Sequence, residues 1–177
     1  MIGNPPILAD LPVRSISHTP WLEIPGVRAV VWALGREHVR FVGGCVRDFL
    51  LGQANLDVDM ATPLPPDETM HRLQTAGVRV KPIGIEHGTV IALTSTGQFE
   101  ITTLRRDVET DGRHAKVTFT TDWVEDALRR DFTINALSVD PEGKLYDPCG
   151  GLRDLEAGLV RFIGDPDQRI NEDVLRL

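Results

Sequence analysis

One run of strand, glycine turn, helix and strand constrains the fold of this chain more than any other feature. A short apolar strand, Val39 to Val42, leads into Gly43-Gly44, and CVRDFLLG then predicts a helix closed by Gly52. LDVDMAT follows, with polar and apolar residues alternating as they do in a half-buried strand. The helix and the strands must bury their apolar sides against each other, so the run predicts an α+β domain.

The two glycines lie where the first strand turns into the helix. Glycine lets backbone N–H groups approach a ligand closely, and the beginning of a helix carries a partial positive charge. Arg47 falls on the first helical turn, where its guanidinium could grip a triphosphate. Any tight strand-to-helix turn can also use two glycines, so Gly43 and Gly44 alone leave phosphate binding and a purely structural turn equally open.

Two aspartates in the second strand predict a metal site. Asp57 and Asp59 are two residues apart, so on a strand both side chains point to one face and can share an ion. Carboxylates suit Mg²⁺, and two such ions could activate an attacking hydroxyl and neutralise a leaving pyrophosphate. Glu100 alternates with Phe99 and Ile101 and could be a third carboxylate. Solvated strand carboxylates are the alternative for all three.

The rest of the chain alternates helices and strands. We predict helices in VRAVVWALGREH, DETMHRLQTAG and WVEDALRRDFTINAL, strands in VRVKP, TVIAL, QFEITTLR and LVRFIG, and a mobile polar loop in DVETDGRHAKV. The last helix, in DPDQRINEDVLRL, has no stop signal before Leu177, which predicts that the chain is part of a longer protein.

Charge and cysteine content exclude some functions. The net charge of −7 argues against a protein that coats nucleic acid by charge alone, but not against an enzyme that takes a nucleic-acid end into a cleft. Cys45 and Cys149 are far apart and not in metal-ligand spacing, which favours a reducing, cytoplasmic location. Since no apolar run approaches the roughly 20 residues of a membrane span, we expect no membrane partner.

Together these motifs resemble the class II branch of the polymerase β-like nucleotidyltransferase superfamily, the tRNA nucleotidyltransferases (CCA-adding enzymes) and their bacterial poly(A) polymerase relatives. The resemblance covers roughly residues 38–177. FVGGCVRDFLLG with LDVDMAT is similar to the first motif of that family, and FEITTLRRDVETDGRHAKVTFT to the stretch with its third carboxylate and flexible loop. DALRRDFTINAL resembles the second motif, LYDPCGGLRDLEAGLVRFIGDPDQRI the hinge, and EDVLR at 172–176 the nucleotide-reading motif.

The resemblance implies a polymerase β-like nucleotidyltransferase fold, a small mixed sheet flanked by helices. It implies that Asp57, Asp59 and Glu100 are catalytic, the two aspartates holding metal. The residues it implies in nucleotide binding are Gly43, Gly44, Arg47, Arg130, Asp131, Asn135, Asp173 and Arg176.

Two pairs among these residues also have helical spacing. Asp131 and Asn135 would share a helix face near the ribose, although an ion pair from Asp131 to Arg129 or Arg130 is an alternative. Asp173 and Arg176 would read the base.

The implied reaction is attack of an RNA 3′-hydroxyl, on a tRNA acceptor end, on the α-phosphate of CTP or ATP, with Mg²⁺ as cofactor. Three alternatives remain: poly(A) addition from ATP alone, nucleotidyl transfer to a small molecule, and a non-catalytic nucleotide-binding module. We expect an irregular N-terminal arm at 1–24, the nucleotidyltransferase head at 25–162 and the start of a helical neck at 163–177. The parts that grip RNA would then lie mostly beyond residue 177.

Overall fold

The structure, a computed structural model, describes residues 9–53, 57–111 and 114–172. Its strands are β1 (Pro12–Ser15), β2 (Arg40–Val42), β3 (Asp59–Thr62), β4 (Arg79–Pro82), β5 (Thr89–Thr94), β6 (Gly97–Thr103), β7 (Arg105–Asp111), β8 (His114–Phe119), β9 (Ser138–Val139) and β10 (Lys144–Tyr146). Its helices are α1 (Pro25–Leu34), α2 (Gly44–Leu50), α3 (Pro66–Thr75), α4 (Trp123–Leu128), α5 (Gly151–Glu156) and α6 (Pro166–Glu172), and 3-10 turns lie at Pro20–Glu23, Arg36–His38, Ile85–His87 and Thr133–Asn135. No helix in these ranges is long and apolar enough to cross a membrane.

Eight strands form one sheet in the order β1-β10-β9-β2-β3-β6-β5-β4. The central pair β3 and β6 is parallel, whereas the other neighbours are antiparallel. The mixed sheet with flanking helices confirms the predicted α+β class, and β4, β5 and β6 lie where the sequence predicted strands. β7 and β8 pair separately.

One face of the sheet is apolar and packs against α1 and α3. Phe41, Met60 and Ile101 lie side by side on β2, β3 and β6, and all three are fully buried in the main core. Because side chains alternate along a strand, Asp59 and Glu100 project from the opposite face. The apolar core therefore fixes which side of the sheet carries the carboxylates.

The described part of the N-terminal arm is regular, so the prediction of an irregular arm at 1–24 is wrong there. β1 pairs with β10 and becomes an edge of the sheet. Trp21 is only 3% exposed and packs on Phe41, with ring centroids 4.7 Å apart. Asp10 accepts two hydrogen bonds from Arg40, at 2.7 and 2.9 Å. Burial of a large aromatic ring outweighs the weak strand pattern of a proline-rich segment.

The segment DVETDGRHAKV was predicted to be a mobile loop, and the structure shows an antiparallel hairpin of β7 and β8 instead. The residues that flank it tie it to the body, since Leu104 donates its backbone N–H to Thr62 and the Thr120 hydroxyl donates to Glu125. A polar sequence can form such a ribbon because the ladder between the two strands satisfies their backbone N–H and C=O groups.

The predicted helix over 123–137 is also wrong in its second half, because α4 ends at Leu128. The backbone of 131–133 pairs with 161–163: Thr133 donates to Arg161 at 2.9 Å, and Ile163 donates to Asp131 at 2.9 Å. This pairing needs extended backbone, which the helical spacing of the sequence cannot reveal. LVRFIG correspondingly forms a single bridge, from Phe162 to Phe132, and not the predicted strand.

Candidate active site

Asp59 and Glu100 face each other across the parallel pair at the centre of the sheet. Asp59 is the first residue of β3, and its Cα is in register with that of Glu100 on β6. Asp57 is exposed and lies two residues before the strand, separated from Asp59 by the buried Val58. The structure therefore brings the predicted carboxylates together, although only one of the two aspartates lies on the strand itself.

The electrostatics of Asp59 show how closely these acids are grouped. Burial, followed by the charges of Asp57 and Glu100, raises the pKa of Asp59 to about 6, against the opposing charge of Arg130. Since two neighbouring carboxylates oppose the ionisation of Asp59, a cation bound here would stabilise its charged form. The oxygen donors fit Mg²⁺, a hard cation.

These carboxylates do not form a protein cage for an ion. Within the described residues, no three His, Cys, Asp or Glu side chains form a group that could hold a metal by themselves. This agrees with the usual environment of Mg²⁺, which keeps several waters and takes one or two carboxylates together with substrate phosphates.

The glycine turn adjoins this cluster. Gly43 has φ of 70° and ψ of −135°, a backbone conformation that L side chains rarely adopt. A Cβ built there would lie 3.5 Å from the NH1 atom of Arg130. α2 begins at Gly44, and the Cys45 thiol next to it hydrogen-bonds to the carbonyl oxygens of Val42 and Asp59. The turn thus leads from β2 into α2, and the Cys45 thiol links the end of β2 to the start of β3 beside the carboxylates.

Asn135 joins the predicted nucleotide-binding residues into one network. Its Oδ1 accepts from Arg47 at 2.8 Å, and its Nδ2 donates to Asp131 at 3.1 Å. Its backbone carbonyl accepts from Arg130 at 3.4 Å. Asp131 and Asn135 therefore contact each other as predicted, but through a 3-10 turn and not across a helix face.

The alternative role of Asp131 as an arginine partner is not what the structure shows. Arg129 and Arg130 both pair with Asp126, at 2.8 and 3.0 Å. Asp131 Oδ1 accepts from the backbone N–H of Phe132 at 2.7 Å and from Asn135.

Asp126 was not predicted from the sequence. It is buried, with 4% of its surface exposed, and pairs with Arg129 and Arg130. A signal for it existed, since Asp126 precedes Arg129 by three residues and Arg130 by four, the spacings at which helical side chains meet. The predicted base-reading pair, Asp173 and Arg176, lies outside the described residues.

Comparison with known proteins identifies the family. The profile of the family described as Poly A polymerase head domain matches residues 39–161. CCA tRNA nucleotidyltransferase 1, mitochondrial, of Danio rerio is 48% identical over 150 residues, which are 84% of this chain and 35% of that protein. The CCA-adding enzyme of Oceanobacillus iheyensis is 47% identical over 139 residues, 77% of this chain and 34% of that protein.

Solved structures agree. The CCA-adding enzyme of Bacillus stearothermophilus in complex with CTP superposes with a TM-score of 0.77 at 33% identity, covering 90% of this chain and 38% of that chain. A tRNA nucleotidyltransferase complexed with a primer tRNA and an incoming ATP analog gives a TM-score of 0.62 at 34% identity, covering 78% of this chain and 39% of that one.

The fold is that of the polymerase β-like nucleotidyltransferases, as predicted. The chain belongs to the poly(A) polymerase head domain family, with the CCA-adding enzymes as relatives. It spans about a third of the length of the curated relatives that it matches.

Proposed function

We propose that this chain is the catalytic head of a template-independent RNA nucleotidyltransferase that adds C and A to the 3′ end of tRNA from CTP and ATP. The observation that carries the proposal is the placement of Asp59 opposite Glu100, with Asp57 and Arg130 acting on the same carboxylate. Relatives of which the chain covers a third are named for CCA addition, and related structures contain CTP or a primer tRNA with an ATP analog.

Mg²⁺ is the cofactor that we propose for this site. Asp57 and Asp59 would hold it together with substrate phosphates and water, and Glu100 lies opposite Asp59 on β6. When bound, Mg²⁺ would make the RNA 3′-hydroxyl more acidic and neutralise charge on the triphosphate. The mutual repulsion of the three carboxylates supports the assignment, because a cation lowers the energy of the ionised cluster.

The arginines would hold the phosphates. Arg47 and Arg130 both donate to Asn135, and Arg130 also lies beside Gly43, so the two guanidinium groups lie near the glycine turn. Gly43 and Gly44 leave the backbone open to close approach by a phosphate. Asn135 and Asp131 would contact the ribose, and Asp173 with Arg176 would read the base.

The residues described perform catalysis by positioning and by charge, with no covalent intermediate. The RNA hydroxyl attacks the α-phosphorus, a new phosphodiester bond forms, and the bond to the departing pyrophosphate breaks. Asp59, held at the start of β3, would with Asp57 hold the ion that makes the attacking hydroxyl more acidic. Arg47 and Arg130 would stabilise the negative charge that accumulates on the leaving pyrophosphate.

Two alternatives are weaker. Poly(A) addition would need ATP alone, whereas a related structure contains CTP and the relatives are named for CCA addition. A non-catalytic module would gain nothing from three carboxylates whose grouping raises the pKa of Asp59.

The test is pyrophosphate release by the natural-length protein, with a tRNA that lacks its 3′ CCA and with Mg²⁺. We expect release with CTP and, once C has been added, with ATP. Asp59→Asn should lower the rate by at least about a hundredfold, because it removes a metal ligand from the transition state. Asp67→Asn, in the first turn of α3, is the matched control and should keep the wild-type rate. Release with ATP alone would favour poly(A) addition, and equal rates in both variants would refute the catalytic proposal.

We also propose a cytoplasmic location. Cys45 and Cys149 are both free and buried, as in proteins from a reducing compartment. Immunofluorescence or cell fractionation of the native protein would check this, and enrichment in an organelle, as the name of the Danio rerio relative indicates for that protein, would contradict it.

A further inference from the structure

Asp126 is a buried carboxylate that the proposed chemistry does not use. It lies on α4, and its two oxygens accept hydrogen bonds from three donors. Oδ1 accepts from Arg129 Nε at 2.9 Å and from the backbone N–H of Arg105 at 3.1 Å. Oδ2 accepts from Arg130 NH2 at 3.0 Å. A buried carboxylate with this many partners holds them in one geometry.

The hydrogen bond from Arg130 connects Asp126 to the proposed nucleotide site. Arg130 also donates to the carbonyl of Asn135 and lowers the pKa of Asp59 by its charge. Within the described part of the chain, Asp126 and Asn135 occupy one NH2 and one NH1 position of its guanidinium, which has five N–H donors in all. The remaining donors of Arg130 are thus held in a fixed direction and can serve a ligand.

The side chains around Asp126 have a net positive charge that can attract an anion. Asp126 carries one negative charge, while Arg129 and Arg130 carry two positive charges, so the group retains a net positive charge next to the carboxylates. Arg105 contributes a further guanidinium, whose pKa is lowered by burial and by the charge of Arg129. Its Nε is buried and, among the described residues, has no hydrogen-bond partner. A triphosphate bound here would therefore contact positively charged side chains that are already held in place.

The second connection leads to the β7–β8 hairpin. Arg105 is the first residue of β7, and its backbone N–H ends on Asp126. The other end of the hairpin is attached to the same helix, because the Thr120 hydroxyl donates to Glu125. Both ends of the hairpin therefore lie against α4, and one carboxylate touches both the hairpin and Arg130.

We propose that Asp126 is a positioning residue that aims Arg130 at the triphosphate and couples it to the base of the β7–β8 hairpin. This inference rests on the proposed function, because it takes a nucleoside triphosphate as the ligand of Arg130. It goes beyond that function in assigning phosphate affinity to a buried side chain that does not touch the nucleotide.

The test is calorimetric titration of the chain with Mg²⁺–CTP and, separately, with Mg²⁺ and inorganic tripolyphosphate. Asp126→Asn should weaken both ligands about tenfold, the effect of one charge-assisted hydrogen bond. Asp126→Glu keeps the charge and should recover most of the affinity. The matched control is Asp122→Asn on the same helix, since Asp122 caps α4 through Val124 and Glu125 and contacts no arginine within the described residues. It should stay within about twofold of wild type.

Hydrogen exchange followed by mass spectrometry gives a second readout. Asp126→Asn should speed exchange at the start of β7 by a larger factor than in β3 and β6, where exchange follows global stability, whereas Asp122→Asn should affect mainly α4. Equal ligand affinities in Asp126→Asn and Asp122→Asn would overturn the proposal. So would exchange that rises by the same factor in every element, or loss of folding in both Asp126 variants, because either would make Asp126 a general stabilising residue. If the wild-type chain binds neither ligand, both the proposed function and this inference are wrong. If the wild-type chain binds the ligands but Asp126→Asn binds them as tightly as Asp122→Asn does, only this inference is wrong.

Discussion

At the scale of single residues, the fold holds carboxylates of the proposed site close together although their negative charges repel each other. Asp59 sits half-buried between two other carboxylates, and its pKa is raised to about 6. An acid whose pKa is raised on folding destabilises the folded state wherever it is ionised. This contribution is small below its ordinary pKa of 3.8 and reaches its full cost above pH 6. The fold therefore gives up stability to group these acids.

The first prediction is that Asp59→Asn stabilises the chain. At pH 8 in the absence of divalent ions, we expect the free energy of unfolding to rise by about 1 kcal/mol, less than the full conversion of the pKa shift because solvent screens a half-buried group. At pH 4 the gain should largely vanish. Urea unfolding at the two pH values measures both. Asp67→Asn should instead lose a few tenths of a kcal/mol, since a carboxylate in the first turn stabilises a helix. Destabilisation by Asp59→Asn at pH 8 would contradict the account.

The second prediction separates backbone strain from function at Gly43. Gly43→Ala and Gly52→Ala both place a side chain at positive φ, 70° and 72°, so each should cost at least about 1 kcal/mol of stability, and Gly43→Ala more because its ψ of −135° lies outside the left-handed helical region. Only Gly43 lies beside Arg130, while a Cβ at Gly52 would meet nothing within 4 Å. Calorimetry should thus show weaker binding of Mg²⁺–CTP in Gly43→Ala alone. Equal loss of binding in both variants would remove Gly43 from the nucleotide site.

At the scale of elements, local sequence signals located most of the helices and strands but not the contacts between distant segments. The Gly43-Gly44 turn was sufficient to place the start of α2, because glycine permits the positive φ that this turn requires. The end of α4 could not be predicted, since it depends on pairing between 131–133 and 161–163. Burial of Trp21 likewise depends on Phe41, which is distant in the sequence.

The residues of the candidate site also fall into those that the local sequence predicts and those that depend on contacts between distant segments. The motif residues Asp57, Asp59 and Glu100 were predicted from alternation and from the family resemblance, and the structure groups them. Asp126 was missed because a helical Asp near two arginines is usually a surface ion pair. Its burial comes from packing of α4 against the sheet, which no local pattern records.

The third prediction concerns acid stability and belongs to α4. Burial by itself raises the pKa of Asp126, but Arg130 and Arg129 outweigh burial and hold the pKa below its ordinary value of 3.8. The stabilisation from this charge is therefore complete above that value and is lost as the pH falls through the lower pKa of the folded state. Urea unfolding between pH 5 and pH 2 should show a steep loss of stability in wild type. Asp126→Asn should lose about 3–5 kcal/mol at neutral pH and show a shallower acid slope; an unchanged slope would refute the assignment.

The fourth prediction concerns the attachment of α6. Arg169 donates to the carbonyl of Ile163 at 2.8 Å and to that of Leu128 at 2.6 Å, so it joins α6 to the end of α4. Arg169→Ala should cost about 1–3 kcal/mol, because two carbonyls lose a charged donor. Hydrogen exchange in α6 should rise more than in α5. The exposed Arg153→Ala is the control, and equal exchange in the two variants would show that Arg169 does not hold α6.

At the scale of the whole molecule, the described residues supply chemistry more clearly than RNA binding. The net charge is −7, and the carboxylates of the proposed site contribute to it. The chain covers 35% of the length of its Danio rerio relative, so the surface for the body of an RNA substrate is a matter for the natural-length protein. The division into a head at 25–162 and the start of a neck at 163–177 stays a prediction.

The most direct test of the central claim is the sequence of the RNA product. The natural-length protein is incubated with Mg²⁺, CTP, ATP and a tRNA ending before its CCA, and the extended 3′ ends are sequenced. We expect C, C and A in that order from the wild-type protein and no extension from Asp59→Asn, with Asp67→Asn behaving as wild type. Extension by Asp59→Asn at the wild-type rate, or no extension by the wild-type protein, would contradict the proposed function.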